Sequence, residues 1–136
     1  MGIKRIIFLA FTLMVFGTMI ELLLLGHYED VYQLIPISCI ALVIIISAIL
    51  YFLRTKVLKQ IFKIILIITA ISGLYGAYLH LSSNFEFEIE MQPTATNLDL
   101  IIESFTGALP VLAPFSMVVL ALIGYSYLIL INQNKP

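Results

Sequence analysis

The sequence contains no tryptophan, a single cysteine and few charges, and each shortage removes a class of explanation. Without tryptophan, aromatic anchors at a membrane–water boundary must be tyrosine or phenylalanine. Cys39 alone cannot form an internal disulfide and says nothing of the redox state of its compartment. The chain carries no Gly-rich phosphate loop, no HExxH or CxxC metal motif and no nucleophile beside a base, so no motif speaks for an enzyme. Charged residues make up only 11% of the 136, while hydrophobic residues reach 62% and the mean hydropathy is +1.11. A soluble domain has about a quarter of its residues charged and about half apolar, so this is the composition of a membrane protein.

Four apolar segments stand out: Ile6 to Leu25, Ile35 to Leu53, Ile61 to Leu81 and Ala108 to Ile131. Each is near the roughly 20 residues that a helix needs to cross a hydrocarbon core of about 30 Å. They consume most of the chain, which predicts a single integral membrane domain over residues 1–136 with its one long loop at 82–107. The first segment follows Lys4 and Arg5 as a signal peptide would. It exceeds the roughly 7 to 15 apolar residues of that signal, however, and LLLLGHYED follows it in place of a small-x-small cleavage site.

The charges sort by connection. Lys4 and Arg5 precede the first span, Arg54, Lys56, Lys59 and Lys63 surround the second connection, and Lys135 follows the fourth span. In a four-span chain these places share one side. Glu29, Asp30, Glu86, Glu88, Glu90, Asp99 and Glu103 occupy the other two connections, with Glu21 near the same end of the first span. By the positive-inside rule the basic side is cytoplasmic, which predicts a multi-pass protein of an inner (plasma) membrane with both termini inside. The four cations of the second connection read as anchors to anionic headgroups, each worth about 1 kcal/mol, not as a phosphoinositide or nucleic-acid site.

Short first and second connections predict an all-α, up-down-up-down bundle of four transmembrane helices, with Pro36 in the first turn of the second helix. In the long loop, Phe85, Phe87, Ile89 and Met91 alternate with Glu86, Glu88 and Glu90, the period of a half-buried extended strand. Thr96 and Asp99 form a capping box, and Leu98, Ile101, Ile102 and Phe105 share one helical face, which predicts an amphipathic interfacial helix from Asn97 to Phe105. Since an unpaired strand cannot sit in lipid, the extended segment is expected to cover the bundle mouth as a lid.

Polar groups within the spans mark candidate sites. Gly73, Gly76, Ala77 and His80 share one face of the third span, and Ala10, Met14, Gly17 and Glu21 share one face of the first. Both stripes suit close helix packing, which would bring Glu21 and His80 together near the outer end. His27 lies at the boundary beside Tyr28, Glu29 and Asp30. In TGALPVLAPFSM, Pro110 falls in the first turn of the fourth span, and Pro114 is expected to kink it and free a backbone carbonyl.

The segments LHLSSNFEFEIEMQP and TGALPVLAPFSM, separated by a short apolar helix, resemble a pattern of small, uncharacterised four-span bacterial inner-membrane proteins. The likeness covers His80 to Met117, with Ser83 and Phe115 standing where that pattern has glycine. It implies a four-span fold and a bacterial origin, and no activity.

Three functions fit these residues. The first is an accessory subunit whose outer lid, through Phe85, Phe87, Glu88 and Glu90, contacts a membrane-protein partner or a second copy, within the lipid bilayer and with no nucleic acid involved. The second is an outward-facing divalent-metal or proton site built from Glu21, His80 and Glu86, which would weaken below about pH 6 as imidazole protonates. The third is haem b held between His27 and His80, whose paired imidazoles suit axial ligation.

Overall fold

The structure, a computed structural model, describes residues 2–133. Its helices are α1 (Ile3–Leu24), α2 (Val31–Phe52), α3 (Lys56–Met91), α4 (Asn97–Ser104) and α5 (Phe115–Gln133), and no strand occurs among the described residues. All but α4 are long and apolar enough to cross a membrane. Lys135 lies outside the described residues.

Local chemistry sets the helix ends. α1 closes in a Schellman motif: Gly26, at φ +65°, donates to the Leu23 carbonyl, and the His27 N–H reaches back to Leu22. The Asp30 carboxylate caps α2 through the Gln33 N–H at 2.9 Å, and the Gln33 side chain accepts the Glu29 N–H in return. Because α2 starts at Val31, Pro36 lies beyond its first turn, inside the helix. Thr55 caps α3 by accepting the Leu58 N–H.

α1 packs on α2 and α5, and α3 packs on α2, α5 and α4, so the four long helices close into a ring. Their inward stripes supply Phe11 and Val15, Ile40 and Val43, Phe62 and Leu66, and Leu120 and Leu128 to one core. Phe11 meets Phe62 edge-on at 6.0 Å across it. Gly124 admits Phe11 and Leu66 so closely that a Cβ would lie 2.7 Å from the Phe11 ring. Phe8, early in α1, meets Tyr51, late in α2, and Tyr127, in the second half of α5, in tilted ring pairs. Leu13, Leu42, Ile68 and Leu122 face outward, an aliphatic exterior that suits lipid. Hydroxyls inside the helices satisfy themselves on the preceding turn, as Thr69 does on the Ile65 carbonyl and Thr12 on that of Phe8.

The largest departure from expectation is the third span. α3 is one uninterrupted helix of 36 residues that takes in the whole alternating segment through Met91. Glu86, Glu88 and Glu90 are therefore helical, and the extended lid does not exist. A strand there would have left its backbone groups unpaired, whereas each residue added to an existing helix gains a hydrogen bond without a new nucleation cost. At 1.5 Å per residue the helix is about 54 Å long, well beyond a hydrocarbon core of about 30 Å.

Candidate functional site

The excess length of α3 carries α4 and the connector 105–114, and these three pieces form a cap on one end of the bundle. At its centre lies Asn84, 3% exposed. Its amide nitrogen donates to the carbonyls of Ser104 and Leu109, both at 2.8 Å, and its side-chain oxygen accepts the Leu109 N–H at 3.0 Å. The side chain thus pairs with Leu109 as a neighbouring backbone strand would, holding the connector against α3. Gly107 is required by the same contact, since a Cβ there would sit 2.6 Å from the Asn84 carboxamide carbon.

A second tie joins the tip of the cap. The Gln92 amide donates to the carboxylates of Glu103 on α4 and Glu88 on α3. α4 begins where its sequence predicts, with the Asp99 N–H donating to the Thr96 hydroxyl at 3.3 Å and that hydroxyl donating to the Asp99 carboxylate at 2.6 Å. Leu100 and Ser104 are the residues α4 buries. Leu98, Ile101, Ile102 and Phe105, the apolar face read from the sequence, are exposed.

The glycine face of α3 meets the root of α5. At Gly73 a Cβ would lie 2.7 Å from the Pro114 carbonyl oxygen, and at Gly76 it would lie 3.1 Å from the Pro114 ring. One turn further on, the His80 Nδ1–H donates to the Pro110 carbonyl at 3.0 Å. A carbonyl can only accept, so Nδ1 carries a proton, and Nε2 is the ring nitrogen that this contact leaves over. The connector is a run of turns in which Ala113 donates to Pro110 and Met117 to Pro114. Pro114 precedes α5 and so does not kink it, because proline fits where a helix has yet to need its N–H.

The other predicted site residues separate. Glu21 is exposed, as is Gly17 with open space around it, because α1 buries Phe11, Val15 and Thr18 instead. Glu86, Glu90 and Phe87 are exposed, while Phe85 and Glu88 are half-buried against the cap. Among the described residues no three His, Cys, Asp or Glu side chains gather as a metal site would require. His27 does feel the charge of His80. Partial burial, and then the nearby His80, hold the His27 imidazole below its ordinary value, with Asp30 opposing.

No family model, curated protein or solved structure matches this chain. The geometry alone must carry the reading.

Asn84 is the residue sequence reasoning missed, and a signal for it was present. The stripe Gly73, Ala77, His80 continues at helical spacing to Asn84 and Glu88. A reading that follows this period past His80 places Asn84 on the packed face, whereas the two-residue alternation of phenylalanine and glutamate obscures it.

Proposed function

We propose that this chain is an accessory subunit of a bacterial inner membrane, whose helices run alternately across the bilayer and whose cap faces outward to engage another membrane protein. The observation that carries this reading is the exterior of the cap. Phe87, Met91, Leu98, Ile101 and Phe105 are exposed there, beyond the length of α3 that a bilayer needs. Exposed Glu86, Glu90 and Asp99 flank them, and no lysine or arginine lies between Lys63 and Gln133. A partner presenting aliphatic residues among lysines or arginines on its outer face complements that surface.

The alternating direction of the helices draws on the pairs Phe8–Tyr51 and Phe8–Tyr127, each joining the start of one helix to the end of another. The orientation, with termini in the cytoplasm, draws on the separation of Lys and Arg from Asp and Glu.

The test is purification from native membranes in mild detergent, comparing the wild type with Ile101→Ser/Phe105→Ser. A stoichiometric membrane-protein partner retained by the wild type and lost by the variant is the expected result. A wild-type chain that elutes as a monomer with bound metal overturns the reading.

A second reading, cation or proton binding, gains from the nearness of His80 to His27 and from the Nε2 that the Pro110 contact leaves over on His80. Metal analysis of the wild type against His80→Ala tests it. An absorption spectrum without a Soret band removes the haem form of the same idea.

A further inference from the structure

We infer that the end of the bundle opposite the cap holds an anionic glycerophospholipid by its phosphate group. The basic connection, unremarkable in sequence, becomes specific in space. Lys56, Lys59 and Lys63 fall at i, i+3 and i+7 of α3, with Gln60 between them, and therefore form one stripe of the helix. Arg54 joins them from the α2–α3 connection. Together they line a cavity of about 440 Å³ whose opposite wall is the C-terminal half of α5, including Tyr125, Ile129 and Asn132.

No Asp or Glu lines this cavity. None lies anywhere between Val31 and Phe85 or after Glu103, so the acidic side chains stand late in α1, in the α1–α2 connection, at the far end of α3 and in α4. Charges gathered in one cavity with no carboxylate among its described lining residues call for an external anion. The cavity also borders the N-terminus of α3 at Lys56, where the helix dipole adds positive potential.

The layout along α3 selects among anions. Lys63 lies about 10 Å deeper than Lys56 along the helix axis, and its Nζ sits 5.8 Å from the Tyr125 ring centroid. Gln60 and Asn132 offer uncharged donors beside the cations, and Leu128 and Ile129 supply an aliphatic wall. A free phosphate would use the cations alone. A glycerophospholipid uses all three parts: its phosphate meets the lysines, its headgroup hydroxyls meet the amides and its first acyl methylenes run along α5. This inference rests on the chain spanning a membrane and is independent of what the cap engages.

Purified full-length protein in neutral detergent, titrated with dioctanoyl phosphatidylglycerol, dioctanoyl phosphatidylcholine and inorganic phosphate, tests it. The expected result is saturable binding of phosphatidylglycerol, about tenfold or more tighter than phosphatidylcholine, with inorganic phosphate weaker still. Lys59→Gln and Lys63→Gln each weaken it about fivefold, the equivalent of one headgroup-level cation. Lys63→Arg, which keeps the charge, binds as the wild type does. Lys4→Gln removes a basic residue outside the cavity lining and leaves the affinity unchanged, with elution volume confirming the fold of every variant. Equal affinity for the two lipids, equal affinity for inorganic phosphate, or a loss on Lys4→Gln as large as on Lys63→Gln overturns the inference.

Discussion

Replacing Asn84 by leucine, which keeps the branched heavy-atom skeleton, is somewhat bulkier and has no polar atom, should release the cap without unfolding the bundle. The carboxamide makes three hydrogen bonds to the connector and α4, to the Ser104 carbonyl and to both backbone groups of Leu109. At about 1 kcal/mol net for each, their removal costs about 3 kcal/mol. The leucine leaves the Leu109 N–H without its acceptor, which resists any offset from added apolar burial, whereas the half-open position of Leu109 lets water recover part of the loss. Because the Asn84 carboxamide bonds only to the cap, the cost falls on cap docking. Opening of residues 97–113 should become about a hundredfold more frequent, since every 1.4 kcal/mol is tenfold. Hydrogen–deuterium exchange in detergent reads this directly: amides of α4 and the connector exchange faster in Asn84→Leu, while those of residues 61–77 keep their protection. If the connector exchanges at the wild-type rate, Asn84 does not hold the cap. If the whole bundle loses protection equally, the cap is not a separable unit.

The remaining predictions follow the same contacts. Gly107→Ala places a methyl against the Asn84 carboxamide and should loosen the same residues by about 1–3 kcal/mol, visible as proteolysis within 97–113. Gly73→Ala meets the Pro114 backbone and the Met117 Cβ, neither of which can swing aside, and should lower the thermal midpoint in detergent. Gly17→Ala, on an open helical surface, should match or slightly exceed the wild type, by up to about 1 kcal/mol from helix propensity. For His27 the folded state favours the neutral imidazole, so between its lowered value and 6.5 the unfolded chain binds more protons. Stability should therefore be highest above pH 6.5 and fall as pH drops through that window, and His27→Gln should flatten this slope. An unchanged slope in His27→Gln assigns the titration elsewhere.

Much of the fold was legible because lipid leaves few alternatives. A helix is the only way for an isolated apolar run to satisfy its backbone in a bilayer, so four spans could be marked from hydropathy, and Thr96 and Asp99 placed the start of α4 to the residue. The Gly73, Gly76 and His80 stripe does pack closely, as small residues permit, but against Pro114 and Pro110 and not against the first span.

The failures share a cause. Glu21 shares a helical stripe with Gly17, and these two are exposed while Met14 of the same stripe meets the edge of the core, since Phe11 and Val15 present more apolar surface to it than small residues can. The alternation from Phe85 to Met91 satisfies a strand pattern, yet continuing α3 cost less than starting an unpaired strand. Sequence by itself determined composition, the apolar spans, the segregation of charge and the local caps, because each depends on near neighbours or on transfer into lipid. Only the tertiary structure decided that Asn84 is the hinge pin of a cap, that His80 meets Pro110, and that four lysines and arginines surround one cavity. Those arrangements join residues from different helices, whose rotation about their axes is set by packing.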